Sequence, residues 1–223
     1  MKLYSGPLSL FSRKVEIALR EKGLAFEREM VPFSQAKGYQ PKHPDVLAAN
    51  PKRQIPVLID GDLTLFDSTL IFEYLEDAHP TPALFPRSAK DRARCRLLEL
   101  TADEILLPSI VRLMHRSEPP SPDPQRRRQQ EEESTSAEAT LRKHYRELEQ
   151  TLGSKDYFCG EFSVADIALF MSILFVLRLK GPALDDHPAL AAWYRRMLAR
   201  PAVSTAAAEI AAADRELSPA IAD

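Results

Sequence analysis

Hydrophobic positions in the first part of the chain alternate between two periods. Lys2, Leu3 and Tyr4 make a short strand-like run that Gly6-Pro7 breaks. From Ser12 onward, Val15, Ala18 and Leu19 recur at helical spacing, and Gly23 supplies the stop. Ala25 to Val31, with Phe26, Met30 and Val31 apolar, reads as a second strand. A polar segment from Pro32 to Pro44 leads to a short helical turn over Asp45 to Ala49. Val57 to Ile59 and Leu63 to Phe66 pair around an Asp60-Gly61 hairpin turn. Asp67-Ser68-Thr69 then starts a helix whose apolar face is Leu70, Ile71, Tyr74, Leu75 and Ala78. The order β-α-β-α-β-β-α predicts a central sheet covered by helices.

Past the prolines at 80, 82 and 86 the helical period takes over. Ser88 to Arg116 carries it, with a kink predicted at Pro108. The stretch from Ser117 to Ser136 holds four prolines, an Arg126–Arg128 run and a Glu131–Glu133 run, and reads as a solvated loop entering a charged helix. Leu141, Tyr145, Leu148 and Leu152 mark the next helix. Ser163 and Asp166 form a capping box in front of a buried core helix. Leu190, Trp193, Tyr194 and Met197 mark another helix, and an Ala-rich one follows Pro201. The division predicted is a small α/β domain over 1–79, a linker over 80–87 and an all-α domain over 88–223.

Composition narrows the function. A formal net charge of -2 over 223 residues argues against a protein that grips nucleic acid by bulk charge. The most apolar stretch, Val164 to Leu179, contains Asp166 and Arg178 and falls short of the roughly 20 residues a membrane helix needs. No secretory leader pattern opens the chain. Cys95 and Cys159 have no metal-ligand or CxxC spacing, so neither a bound metal nor a disulfide framework is predicted, and a reducing cytoplasm is the simplest setting.

Three short motifs carry candidate chemistry. A proline at the mouth of a strand, as in Gln54-Ile55-Pro56, is either a plain loop-to-strand residue or a cis proline that leaves the Ile55 backbone open to an extended peptide. Asp67-Ser68 at a helix start is either a simple cap or a clamp for an amino acid's carboxylate and amine. Ser9 and Ser12 precede the first helix, where hydroxyl donors stabilise a thiolate. Ser12 suits the N-cap; Ser9 stands too early to cap and is the better chemical candidate. Together the three describe a receptor for a γ-glutamyl tripeptide with a central cysteine.

LYSGPLSLFSRKVEIALREKGLAFE and ANPKRQIPVLIDGDLTLFDSTLIFEYLED resemble the glutathione-binding domain of the glutathione transferase superfamily, and YFCGEFSVADIALF and HPALAAWYRRMLARPAV resemble its helical domain. The resemblance implies a thioredoxin-like α/β N-terminal domain plus an all-α C-terminal domain. It implies a cytoplasmic detoxifying enzyme that conjugates the glutathione thiolate to small hydrophobic electrophiles, with glutathione as co-substrate and no metal. By position, Ser9 matches the activating residue, with Ser12 as fallback and Tyr4 near the place used by tyrosine-type classes. Gln54, Ile55 and Pro56 match the segment that pairs with the glutathione cysteine, and Asp67 and Ser68 the γ-glutamyl clamp. The glycyl carboxylate falls to a basic residue among Lys42, His43, Lys52 and Arg53, the last two lying nearer Pro56. Leu8, Leu10 and Phe11, with Leu107, Ile110, Val111, Met114 and His115, are the candidate walls for the second substrate. Serine in place of cysteine at position 9 argues against thiol–disulfide exchange there.

The superfamily also implies a two-fold homodimer, for which Phe66, Arg92 and Arg94 are candidate interface residues. A different role is implied by similarity to the stringent starvation protein A family, which binds RNA polymerase: LYSGP, REKGLAFE and LTLFDSTLIFEYLED are the shared stretches. The same scaffold also hosts glutathione-dependent isomerases, dehalogenases and etherases.

Overall fold

A computed structural model describes residues 1–40 and 42–221; Ala222 and Asp223, at the end of the predicted helical domain, lie outside the described residues. Strands β1 (Lys2–Ser5), β2 (Glu27–Met30), β3 (Val57–Asp60) and β4 (Leu63–Phe66) form one sheet in the order β2-β1-β3-β4. β1 is parallel to β2 and antiparallel to β3, and β3 and β4 are an antiparallel hairpin. Its turn holds Gly61 at φ 61, a left-handed conformation glycine adopts freely. Side chains alternate across a strand. Leu3 and Leu58 therefore face α1 (Leu10–Glu21) and α3 (Ser68–Ala78), while Tyr4 and Val57 face Val46 of α2 (Pro44–Ala49).

Helix α1 starts earlier than its spacing predicts. Ser9, not Ser12, is the N-cap: its Oγ accepts the Ser12 N–H at 3.2 Å. The apolar stripe extends back through Leu10, which is buried, so the helix gains a turn of core packing by beginning there. At the other end Gly23 N–H donates to Arg20 O and Leu24 N–H to Leu19 O, a Schellman stop.

The helical part comprises α4 (Ala89–Leu100), a π-helical turn (Thr101–Leu106), α5 (Leu107–Leu113), a 3-10 turn (Met114–Ser117), α6 (Pro124–Leu152), α7 (Val164–Arg178), α8 (Pro188–Leu198) and α9 (Pro201–Leu217). The irregularity predicted at Pro108 is the π turn just before it: the ring crowds the carbonyl four residues back, and widening the helix relieves the clash. The segment ahead of Pro124 is loop, and the Arg126–Arg128 and Glu131–Glu133 runs lie in the first turns of α6, the charged helix start expected there. Asp166 anchors the start of α7 by accepting Ser163 N–H and Oγ–H, Phe158 N–H and the Trp193 indole N–H. No helix among the described residues is long and apolar enough to cross a membrane.

Helix α1 lies between the sheet and the helical layer, and its charges are buried in pairs, as desolvated charges must be. Glu16, fully buried, accepts from Ser5 Oγ at 2.5 Å and from Arg13 and Arg28 at 2.9 Å. Both arginines also reach Glu209 of α9. Lys14 donates to Asp103 at 2.5 Å and lies 3.7 Å from Glu99, which in turn accepts the Thr69 hydroxyl. Lys22 donates to Glu76 and to the carbonyls of His79 and Pro82, fixing the linker.

Candidate functional site

Strand register gathers the three sequence motifs at one end of the sheet. Tyr4 is opposite Val57, so the loop after β1 runs beside the Ile55–Pro56 peptide, which is cis. Val57 is opposite Phe66, so Asp67 follows on the other side of the same peptide. Gly6 is held so close to Ile55 and Tyr39 that a Cβ there would fall within 2.6 Å of both side chains. Glycine is thus required by the close approach of loop and strand.

At the α1 end, Ser9 Oγ and Ser12 Oγ are 2.9 Å apart. Ser12 is fully buried and meets Ser9, so the fallback donor has no open route to a ligand, whereas Ser9 keeps some exposure at 9 %. The Tyr4 hydroxyl donates to Asp45 on the opposite face of the sheet, which removes Tyr4 from this end. Arg13, in the first turn of α1, is 2 % exposed, and its guanidinium donates to the Pro7 carbonyl at 3.3 Å. It braces the loop that carries Ser9. Tyr39 is a residue the sequence reading missed: its hydroxyl accepts the Leu8 N–H at 3.2 Å, and burial pushes its pKa up to about 12. Gly6 beside a proline was the one signal that a bulky group had to fit there.

At the α3 end Asp67 caps the helix as predicted, with Oδ1 accepting the Thr69 N–H at 3.1 Å. Its backbone has φ 77, unusual for a residue with a side chain and tolerated best by Asp and Asn. Oδ2 accepts from Lys52 Nζ at 3.3 Å, so this carboxylate already faces a cation. Ser68 is buried beside it at 4 % exposure. The loop between is pinned by Asn50, whose amide donates to Gln54 O and whose carbonyl oxygen accepts the Lys52 N–H. Lys52 thereby reaches toward Asp67. Arg53, exposed and at φ 57, is left as the basic side chain of that loop.

The candidate second-substrate walls are not gathered into one cavity. Leu8 and Leu10 are buried, and Ile110 is fully enclosed in the core. Phe11, Leu107 and Met114 are half-buried, while Val111 is exposed to solvent. His115 alone of that set lines a cavity of about 1130 Å³, shared with Arg116, the 119–122 proline turn, Arg126 to Arg128 and Ile221. Its ring nitrogens face the Arg112 carbonyl and Glu131. A second cavity of about 620 Å³ lies under the linker, between Pro82, Phe85, Tyr157, Cys159, Phe162 and Arg200.

Comparison with known proteins agrees with this architecture. The family model described as glutathione S-transferase, N-terminal domain, matches residues 3–83, and that for the glutathione S-transferase C-terminal domain matches 104–201. A stringent starvation protein A homolog of Coxiella burnetii is 32% identical over 189 residues, covering 84% of this chain and 78% of its own. Glutathione S-transferase 2 of Saccharomyces cerevisiae is 28% identical, with 91% and 88% of the two chains covered. The crystal structure of a glutathione S-transferase from Rhodospirillum rubrum superposes with a TM-score of 0.77 at 27% identity, over 92% of this chain and 90% of that one.

Proposed function

Because the chain belongs to the glutathione S-transferase superfamily, we propose that it binds glutathione at this end of the sheet and conjugates the thiolate to small hydrophobic electrophiles. The observation that carries the reading is the register that brings the loop bearing Ser9, the Ile55–Pro56 peptide and the Asp67–Ser68 helix start to one end of the sheet. The Ile55 backbone pairs with the cysteinyl residue of the tripeptide, and the cation now at Asp67 marks where its amine binds. The free N–H groups at the start of α3 take the neighbouring carboxylate. Arg53 is the candidate for the glycyl carboxylate.

Ser9 Oγ already accepts the Ser12 N–H. When the Ser12 hydroxyl also donates to it, the Ser9 proton is left to point at the sulfur, and a donor there favours the charged thiolate. Attack then forms the carbon–sulfur bond, and the electron pair leaves with the displaced group. Positioning and electrostatics supply the acceleration. The second substrate meets the sulfur between the sheet end and the helical part, near Phe11, Leu107 and Met114. In this reading the enzyme is a cytoplasmic homodimer.

Retention on glutathione resin together with turnover of a generic aryl halide tests the proposal; failure of both would sink it. A second reading is favoured by the Coxiella relative: a stringent starvation protein A-like protein that binds RNA polymerase without turnover. Purified polymerase retained by a protein that glutathione resin does not hold would decide for it.

A further inference from the structure

The cavity of about 1130 Å³ takes its walls from the helical part and holds no residue of the sheet end. Five arginine and lysine side chains line it against three glutamates, in a chain whose formal net charge is -2. Part of that charge is committed to the fold. Arg127 donates to the carbonyls of Ser121 at 2.6 Å and Pro122 at 3.2 Å, which braces the proline turn. Arg116 donates to the carbonyls of Leu179 and Lys180 and to Glu138. Glu131 faces His115 and Arg116. Arg126 and Arg128 differ: both are exposed at the cavity, and neither guanidinium has a partner among the described residues. The carboxylates of Glu118 and Glu132, on the same cavity, are likewise unpartnered.

A guanidinium is planar, permanently charged and weakly hydrated, so two of them without partners select phosphate or carboxylate oxygens. A bare inorganic anion would leave most of this volume empty and would be repelled by the two carboxylates. A phosphate ester that also carries hydroxyls gives those carboxylates donors to accept. Pro119, Pro120 and Pro122 add apolar wall, and the cavity has room for a ligand of drug size. We propose that it binds a nucleoside diphosphate. The diphosphate meets Arg126 and Arg128, the ribose hydroxyls donate to Glu118 and Glu132, and the base lies against the proline turn. None of the residues proposed to hold glutathione takes part, so the site stands whichever role the sheet end serves.

Titration calorimetry of the full chain at physiological salt, with adenosine, guanosine, cytidine and uridine diphosphates and with inorganic pyrophosphate, tests this. At least one nucleotide should bind with one-to-one stoichiometry and at least ~10-fold more tightly than pyrophosphate. The double variant Arg126→Gln, Arg128→Gln should weaken that nucleotide at least ~10-fold, as expected for losing charge-assisted hydrogen bonds. Its Tm and far-UV circular dichroism should match wild type, because neither side chain holds another element. The double variant Glu118→Gln, Glu132→Gln should weaken the nucleotide without weakening pyrophosphate. No heat from any nucleotide at millimolar concentration, pyrophosphate bound as tightly as the nucleotides, or nucleotide affinity that survives the arginine substitutions would overturn the proposal.

Discussion

Ser9 does two jobs that substitution can separate. As N-cap of α1 its loss to alanine costs about 1 kcal/mol of stability, whereas glycine at a cap costs only a few tenths. As a thiolate donor it is lost equally in both. Ser9→Ala and Ser9→Gly should each lower aryl halide turnover at least ~10-fold, about 1.4 kcal/mol of transition-state stabilisation, while only Ser9→Ala lowers Tm appreciably. Turnover restored by glycine would reduce Ser9 to a cap. Asp67 allows a parallel test: Asn preserves the cap oxygen and tolerates φ 77 but drops the charge. Asp67→Asn should raise the KM for glutathione several-fold with kcat and Tm little changed; an unchanged KM would deny the amine contact. Asp67 and Ile55-Pro56 were legible in sequence because caps and strand-mouth prolines are local chemistry. The Ser9 cap was not, because burial of Leu10 sets where α1 begins. Tyr39 was invisible because only the folded loop brings it to Leu8.

Among elements, α1 is the one most constrained, and its buried charges are what periodicity misjudges. Arg13, Lys14 and Glu16 fall outside the apolar spacing of Val15, Ala18 and Leu19, yet each is buried against a partner from another element. Across the α1–α9 contact Glu209 accepts from Arg13 and Arg20 of α1 and from Arg28 of β2. Burial pushes its carboxyl up, but hydrogen bonds from Arg28 and Arg13 outweigh that and hold it below the ordinary carboxylate range. A folded-state pKa below the unfolded value of about 4.3 gives stability that is present above that value and lost as pH falls through the folded one. Glu209→Gln should therefore lower Tm at pH 7, and the gap to wild type should close below about pH 4. A gap that is independent of pH would mean that α9 is held by packing alone. The π turn shows the same limit of sequence: Pro108 announces a disturbance, but a straight reading of the spacing predicts a kink rather than the widened turn over Thr101–Leu106.

For the whole molecule, two parts joined by buried ion pairs leave several large leucines uncovered. Leu63 on β4, Leu70 on α3, and Leu97 and Leu100 on α4 are 39–62% exposed. Arg96 binds Glu73 and Thr69 binds Glu99, so α3 and α4 lie side by side, and Leu70, Leu97 and Leu100 belong to these two helices. Exposed apolar clusters of this kind mark contact surfaces. Of the interface residues nominated from sequence, Arg92 pairs within the chain with Glu73, Glu76 and the Phe85 ring, and the exposed Arg94 pairs with Asp91. Phe66 is half-buried at the end of β4. In the proposed dimer the leucines would be the anchors, and a two-fold axis would set the sheet part of one protomer against the helical part of its partner. The double variant Leu70→Glu, Leu97→Glu puts charge on both helices and removes no buried contact. It should halve the mass measured by sedimentation while far-UV circular dichroism stays unchanged. A wild-type protein that sediments as a monomer at micromolar concentration would refute the dimer.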